Sequence, residues 1–291
     1  MISLKPLEYD ENILKHYIYN SDGITPTSGN EILYDNITFI QGRISEYQDH
    51  IENFNPLLKH TYSNKNLQDK LYSIYDSNSK NITTLKANIR DLSKTICPYC
   101  GIQNEPYRID HYLPRSIYPE FSILSDNLIP SCDICNDIYK KDYYISDDEL
   151  RLFYNPYYDN FINNKQFLKC NLWCEDNYLM ITFYIDTLDC EEEYKIIKNH
   201  FDTLKLNKRY KEVITQDLFP EFYNEFVDYD VELQQETFID TDIDKLKQVI
   251  DGRIRSLRTF NHNYWRKVFW VALKECDDCL NLIIEKKISL S

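Results

Sequence analysis

The sequence predicts an α+β fold that is predominantly helical, and three observations support this prediction. Apolar residues recur at helical spacing over long stretches of the first and last thirds of the chain. A loop-rich segment with paired cysteines and five prolines lies between Cys97 and Asp142. Alternating apolar residues between Gln166 and Asp186 indicate one β-hairpin. With 291 residues, 43% of them hydrophobic, the chain can form one large domain or two ordinary ones.

The first predicted region covers residues 1–95 and is mainly helical. Residues 1–30 contain prolines and polar stretches, which indicate an irregular arm. Apolar spacing predicts a helix from Glu31 to about Phe54. Two further helices are predicted over Asn66–Tyr75 and Thr83–Lys94.

The last predicted region covers residues 146–291 and combines the hairpin with helices. The turn of the hairpin is expected at Glu175-Asp176-Asn177, between two apolar runs. From Glu191 onward the periodicity predicts helices over 191–205, 208–228, 243–260 and 262–288. Acidic linkers near 143–150 and 229–242 are the expected boundaries.

The charge balance and the N-terminus restrict the function classes. A formal net charge of −14 is the wrong sign for a protein that coats nucleic acid through charge alone. Acting on nucleic acid would require a divalent cation with a local basic strip, or a partner that delivers the substrate. Met1–Asp10 has no apolar run after a basic start, and no stretch approaches the ~18 apolar residues of a membrane helix. We therefore expect a cytoplasmic protein without a membrane segment.

The middle region, residues 96–145, contains two CxxC pairs. Cys97 and Cys100 form the first pair, and Cys132 and Cys135 form the second. Two such knuckles bring four thiolates to one tetrahedral ion, and Gly101 suits the sharp turn after the first pair. The spacing predicts a structural zinc site, because cysteine occupies all four ligand positions. The alternative is four ordinary buried cysteines.

The other cysteines carry a weaker signal. In a reducing compartment, nine cysteines indicate metal ligation or buried thiols rather than disulfides. Cys276 and Cys279 form a third CxxC, but they lie in a helical stretch without a second pair nearby. Packing residues are therefore expected there, with a second metal as the alternative. Core or incidental positions are expected for Cys170, Cys174 and Cys190.

The segment between the two CxxC pairs contains several polar residues whose order along the chain forms a motif. It has Asp110-His111, then Pro114-Arg115-Ser116, then Asn127-Leu128, and the second pair ends in Cys135-Asn136. In these residues the chain resembles the HNH (ββα-metal, His-Me finger) endonuclease family in its zinc-bearing four-cysteine form. The match covers about a sixth of the chain. It implies a ββα-metal finger held by the four-cysteine zinc site and flanked by helical regions and a β-hairpin.

The resemblance also implies a role for each polar residue. His111 is the general base that accepts a proton from water, since neutral imidazole titrates near pH 7. Asp110 and Asn136 hold one hard divalent ion through their oxygens. Asn127 ties the loop between the two strands and helps to orient His111. Many family members have a third His where this chain has Asn136, and this departure favours Mg²⁺ or Mn²⁺.

Basic residues near the site and near the C-terminus are candidate phosphate contacts. For Arg115, Lys140 and Lys141 the alternative of solvated surface charge is favoured at any single position. A C-terminal basic strip has two open interpretations, a phosphate-tracking surface with interleaved Tyr264 and Trp265 or the solvated face of amphipathic helices. Its members are Lys245, Lys247, Arg253, Arg255, Arg258, Arg266 and Lys267.

The expected function is metal-dependent hydrolysis of phosphodiester bonds in DNA. The order of elements after the middle region is similar to free-standing bacterial HNH proteins, some of which act in phage defence beside an ATPase. This similarity implies a regulatory ATPase or another subunit as partner. The alternatives are an RNA-targeting nuclease and a zinc-stabilised adaptor that binds nucleic acid or protein without cleavage. Ordinary roles are expected for His16, His50, His60, His200 and His262.

Overall fold

A computed structural model describes residues 1–8, 11–19, 23–53, 62, 64–146, 150–224, 243–285 and 289–290. The chain divides into two compact units, Ser3–Asn160 (the N-terminal unit) and Phe161–Ser291 together with Met1–Ile2 (the C-terminal unit). Helices and small antiparallel strand pairs form the regular structure, which confirms the α+β class. The expected regions 1–95 and 96–145 share one unit, which extends to Asn160.

The N-terminal unit begins with five helices. The predicted irregular arm over residues 1–30 is wrong for Glu11–Ile18, which is helical because Leu14 and Ile18 bury one face. The single helix expected from Glu31 is divided at Asn36, whose side chain bonds the Ile32 carbonyl. Phe54 lies outside the described residues. The helices are α1 (Glu11–Ile18), α2 (Glu31–Asp35), α3 (Ile37–Asn53), α4 (Lys65–Ile74) and α5 (Lys80–Asp91).

Capping residues set the starts of α4 and α5. The Asn64 side chain accepts hydrogen bonds from the first-turn amides of α4, and Ser79 accepts one from the amide of Ile82 in α5. Each helix buries an apolar stripe at helical spacing. The helix predicted over Thr83–Lys94 therefore begins and ends earlier, at Lys80 and Asp91. The buried stripes are Leu67, Leu71 and Ile74 in α4 and Ile82, Leu85 and Ile89 in α5.

Two short strands and a helical segment follow α5. Strand β1 (Arg108–His111) pairs antiparallel with β2 (Leu128–Ser131), and His111 lies opposite Leu128. The chain then forms a helical segment with wide π-type turns, Ile134–Lys140, which we call the finger helix. Helix α5 packs against both strands, and α3 and α4 pack on the 3₁₀ turn Pro119–Phe121 between them. The strand pair is thereby fixed on the N-terminal helices.

The C-terminal unit contains the predicted hairpin. After α6 (Phe161–Asn164), β3 (Leu168–Glu175) and β4 (Tyr178–Ile185) pair in register. Asp176 and Asn177 both have positive φ, 50° and 68°, as a two-residue type I′ turn requires. The predicted hairpin and its turn are confirmed. A short strand β5 (Ser289–Leu290), which was not predicted, pairs parallel with β4.

Helices complete the C-terminal unit. The helix predicted over 208–228 starts at Leu206, contains π-type turns at Ile214–Leu218 and stays helical to residue 224. The helix predicted over 262–288 is two helices that break at Cys276. Residues 225–242 lie outside the described ranges. The helices are α7 (Glu191–Thr203), α8 (Leu206–Val213), α9 (Ile243–Ser256), α10 (Trp265–Glu275) and α11 (Asp277–Ile284). Within the described ranges, no helix combines the length and apolarity needed to cross a bilayer.

Candidate functional site

Four buried cysteines from the two CxxC pairs meet at the base of the strand pair. The Sγ atoms of Cys97, Cys100, Cys132 and Cys135 all lie within 4.8 Å of one another. Among the described residues, this is the one group of three or more His, Cys, Asp or Glu side chains that is gathered so closely. A tetrahedral ion with bonds of about 2.3 Å places its sulfur ligands roughly 3.8 Å apart. The four sulfurs can therefore hold a metal ion.

Backbone amides close the turns around these sulfurs and donate hydrogen bonds to them. Gly101 has φ +68° and its amide bonds the Cys97 carbonyl at 2.7 Å, which closes the first turn. The Cys132 amide donates to Cys97 Sγ at 3.4 Å, and the Cys135 amide donates to Cys132 Sγ at 3.4 Å. Burial raises the pKa of the Cys97 and Cys135 thiols. A bound dication opposes this effect, since it stabilises the thiolate form.

An open cleft of about 450 Å³ lies beside the strand pair. Three of the four predicted polar residues line it, namely Asp110, His111 and Asn136. Asn127 is fully buried and lies outside the cleft lining. The N-terminal helices provide one wall, through Tyr72 and Tyr75 at the end of α4. The other lining residues are Ile109, Pro114, Arg115, Ser116, Asp137, Lys141 and Asp142.

The His111 ring is held by a backbone carbonyl and an aromatic edge. Its Nε2 is 2.9 Å from the Ser122 carbonyl oxygen, which only accepts hydrogen bonds, so the proton is on Nε2. The lone pair on Nδ1 therefore remains as the acceptor. The Tyr75 ring meets the imidazole edge-on, with centroids 4.6 Å apart. Burial lowers the pKa of His111 to about 3, so the ring is neutral near pH 7.

Asp110 is buried, and both of its carboxylate oxygens have partners. Oδ2 accepts a 2.6 Å hydrogen bond from the Tyr99 hydroxyl, and Oδ1 is 3.1 Å from Lys140 Nζ. Lys140 Nζ also donates to the His111 carbonyl at 3.0 Å. Burial raises the pKa of Asp110, and Lys140 and Tyr99 oppose this shift. Neither sequence interpretation of Lys140 is correct, because its side chain is fully buried rather than a surface charge or phosphate contact.

The two asparagines occupy different environments. Asn127 Oδ1 accepts from the Leu113 amide at 2.8 Å, and its Nδ2 donates to the carbonyls of Leu113 and Phe121. These bonds tie the loop between the strands. The hydrogen-bond partner of the His111 ring is the Ser122 carbonyl rather than Asn127. Asn136 lies in the first turn of the finger helix, is half-buried, and donates to Asp137 at 2.7 Å.

Arg115 lies on the wall of the cleft against two tyrosines. Its guanidinium is 4.2 Å from the Tyr72 ring centroid and 5.2 Å from that of Tyr75. It also forms a 3.0 Å ion pair with Asp76, whose carboxylate is more than half exposed. Lys86 lies over the Tyr75 ring at 4.1 Å. Tyr75 therefore contacts His111 directly, and both Arg115 and Lys86 lie against the Tyr75 ring.

The aromatic residues of the C-terminal basic strip do not lie where the phosphate-tracking interpretation requires them. Tyr264 and Trp265 are buried in the core, where Trp265 stacks on Tyr210 with centroids 5.2 Å apart, so they are not interleaved surface rings. Lys247 forms a 2.7 Å ion pair with Asp277. Arg255 remains exposed on α9. The burial of both rings therefore contradicts the aromatic part of the phosphate-tracking interpretation, and the role of the basic residues stays a prediction.

Several residues of the site were not identified from sequence. Ser122, Tyr75 and Tyr99 contact His111 or Asp110 directly. Tyr99 lies inside the first CxxC, which was the one local signal available. Tyr75 follows a helix in a different part of the chain, so only the tertiary fold brings it to His111.

Comparisons with known proteins identify no relative. No family model, no curated protein and no solved structure matches this chain.

Proposed function

We propose that this chain is a metal-dependent endonuclease of the HNH type that hydrolyses phosphodiester bonds in DNA. One observation carries the proposal. A two-stranded antiparallel pair, joined to a helix by a four-cysteine cluster, presents Asp110, His111 and Asn136 to the same open cleft. This combination matches the requirements of phosphodiester hydrolysis: a base for water, a cation site and room for a phosphate.

A structural zinc ion fits the cysteine cluster. All four ligand positions are occupied by buried thiols, which leaves no position for substrate. The zinc therefore holds β2, the finger helix and the first knuckle together and takes no part in the reaction. Zinc is the expected ion because tetrahedral sulfur sets favour it.

The reaction's own ion is proposed at Asp110 and Asn136. Carboxylate and amide oxygens suit Mg²⁺ or Mn²⁺, and the open cleft leaves room for water and phosphate. When bound, this ion supplies positive charge against the phosphate oxygens. Each Asp110 oxygen has a second lone pair besides the one used by Tyr99 or Lys140, so its present bonds are compatible with a ligand role.

His111 is proposed as the base that accepts the proton of the attacking water. The Ser122 carbonyl keeps the other proton on Nε2, so Nδ1 receives the transferred proton. A pKa of about 3 makes the ring neutral but weakly basic. A phosphate in the cleft raises this pKa, because a nearby anion favours the charged imidazolium. Arg115 lines the same cleft and is proposed to contact that phosphate.

The test is cleavage by full-length protein of plasmid DNA, single-stranded DNA and RNA, with Mg²⁺ or Mn²⁺. We expect DNA cleavage that requires the divalent ion and falls by about 100-fold or more in His111→Ala, since general-base catalysis typically contributes 10²–10⁴-fold. His262→Ala is the matched control, because His262 is exposed and outside the cleft. Equal cleavage by His111→Ala and wild type, with the fold intact by circular dichroism, would refute the proposal.

A binding adaptor without cleavage is the second candidate function. It is favoured by the engagement of both Asp110 oxygens, which stabilises the side chain without any added ion. This function predicts no cleavage of any of the three substrates with either metal ion, while a gel-shift assay still detects binding. Preferential cleavage of RNA would instead assign the RNA-targeting alternative.

A regulatory partner belongs to the same proposal. The net charge of −14 opposes unaided binding to nucleic acid and suits docking of a basic protein. We propose an ATPase or another subunit in an anti-phage defence system, on the strength of the sequence resemblance. Co-purification with the product of a neighbouring gene would support it, and full nuclease activity of the isolated chain would argue against dependence on a partner.

A further inference from the structure

Three cysteines outside the metal cluster meet in the C-terminal unit. Cys174 Sγ lies 2.8 Å from Cys279 Sγ, and Cys276 Sγ lies 3.0 Å from the same atom. Even carbon atoms, which are smaller than sulfur, stay about 3.5–4.0 Å apart when they are not bonded. Cys279 is therefore in closer than ordinary contact with two thiols at once.

The fold itself brings these thiols together. Cys174 lies near the end of β3, and α10 and α11 both pack against that strand. The helices break at Cys276, which precedes the first turn of α11, and Cys279 lies within that turn. Cys279 is buried, whereas Cys174 and Cys276 are half-buried and reachable from solvent. A buried thiol thus lies between two accessible ones.

This arrangement differs from that of the metal cluster. In the four-cysteine group every sulfur is within 4.8 Å of the others, so an ion can occupy the centre. Among the described residues no second group meets that criterion. In the three-cysteine group the central place is occupied by the sulfur of Cys279 itself. The geometry therefore suits sulfur–sulfur bonding better than ion binding.

We propose that Cys174, Cys276 and Cys279 form a peroxide-oxidised disulfide site in which Cys279 is the shared partner. The oxidant is hydrogen peroxide. Cys276 reacts first, because it is only half-buried and lies at the break before α11. Burial raises the pKa of the thiols of Cys174 and Cys279, which disfavours these two as the first nucleophile.

The chemistry balances in three steps. The Cys276 sulfur attacks one peroxide oxygen, the O–O bond breaks, and hydroxide leaves and is protonated to water, which gives a sulfenic acid. The Cys279 sulfur then attacks the Cys276 sulfur, and the S–O bond breaks. The hydroxide that leaves takes the Cys279 proton as a second water. Finally the Cys174 thiolate attacks Cys279 and releases Cys276 as thiolate. Overall, two thiols are oxidised to one disulfide while one peroxide is reduced to two waters.

The Cys174–Cys279 disulfide is the favoured product. It joins residues 105 positions apart, whereas Cys276 and Cys279 are 3 apart. Closing the longer loop removes more conformational entropy from the unfolded chain. Oxidation therefore links β3 to α11 and stabilises the C-terminal unit.

Peptide mapping of the full-length protein tests this product. The protein is treated with hydrogen peroxide, the remaining thiols are alkylated, and the chain is cut before aspartates. Cuts at Asp159, Asp176, Asp251, Asp277 and Asp278 place Cys174, Cys276 and Cys279 in fragments 159–175, 251–276 and 278–291. The first fragment also contains Cys170, so sequencing of the linked peptide by mass spectrometry assigns the bond to Cys174. We expect 159–175 linked to 278–291, and reversal by dithiothreitol. Alkylated Cys279 after oxidation would overturn the proposal.

Single variants test the order of steps. In Cys174→Ser the link should shift to 251–276 with 278–291, and in Cys276→Ser the original link should form about ten-fold more slowly. Cys190→Ser is the control, because Cys190 is also half-buried but lies outside the group. An unchanged rate in Cys276→Ser would overturn its role as first nucleophile.

Thermal unfolding and metal content give independent readouts. Oxidised wild-type protein should melt about 5–10 °C above the reduced form, and Cys174→Ser should lack this increase. A second equivalent of zinc that disappears in both Cys174→Ser and Cys276→Ser would overturn the proposal in favour of a metal site. These measurements do not depend on nuclease activity.

Discussion

Lys140 has the least expected environment of any single residue in the site. Its ammonium group is fully buried, pairs with Asp110, and lies 5.6 Å from the centroid of the Phe153 ring. A buried charge is tolerated only with a partner, because leaving water costs several kcal/mol per ion. Each of the two charged groups therefore compensates for the burial of the other. It also places the Lys140 side chain beside the proposed metal ligand.

Removing Lys140 should destabilise the N-terminal unit. We expect Lys140→Met to lower the free energy of unfolding by about 3–5 kcal/mol in urea titrations without divalent ions, because Asp110 is left buried and uncompensated. Lys141→Met should stay within about 0.5 kcal/mol of wild type, since Lys141 is exposed. Adding Asp110→Asn to Lys140→Met should recover part of the loss. Equal stability of the two single variants would contradict the buried pair.

At the scale of elements, the cysteine knuckles link distant parts of the middle region. The first knuckle precedes β1, and the second connects β2 to the finger helix. Both strands are only four residues long. Strands this short form few ladder hydrogen bonds, so an ion held by the four sulfurs would contribute much of the local stability.

Breaking one knuckle should release the metal and weaken this region. We expect Cys132→Ser to lose bound zinc, to melt at lower temperature and to lose nuclease activity together, because zinc binding free energy is also folding free energy. The measurements are elemental analysis, thermal unfolding and plasmid cleavage. Cys190→Ser provides the control, as it leaves the four-sulfur cluster intact. Full activity of a zinc-free protein would exclude this structural role.

Locally encoded elements were predictable from the sequence. The stripes of α4 and α5, the I′ turn at Asp176-Asn177 and the CxxC spacing all depend on neighbours within a few positions. The break at Cys276 was not predictable, because apolar periodicity continues across it. The Lys140–Asp110 pair and the Cys174–Cys279 contact join residues 30 and 105 positions apart. Such pairings follow from tertiary packing, which single-sequence periodicity does not contain.

At the scale of the whole molecule, tyrosine is the most conspicuous part of the composition. The chain has 25 tyrosines, and several are buried in the N-terminal unit. Burial raises the pKa of Tyr47, Tyr99 and Tyr112, the last to about 12. A group with a raised pKa in the folded state keeps its proton after the unfolded chain has lost it. The stability that these tyrosines contribute is therefore fully present below pH 10 and declines above it.

Tyr112 should account for a measurable part of this alkaline loss. Its pKa changes from 10.0 to about 12, so it contributes about 2–3 kcal/mol that disappears between these pH values. We expect the stability of Tyr112→Phe, measured in urea at each pH, to fall less over this window than that of wild type. Tyr143→Phe should behave as wild type, because Tyr143 is 60% exposed. Identical slopes for all three proteins would contradict the assignment.

The direct succession of Cys135 and Asn136 has a consequence for how this region tolerates change in length. The residue proposed to hold the reaction's ion is covalently next to one that anchors the fold, within the same helical turn. One inserted residue between them would rotate Asn136 by roughly a quarter of a turn around the helix axis, away from the cleft. A change in length is therefore excluded at this junction, so the register of the cleft is set by chain connectivity.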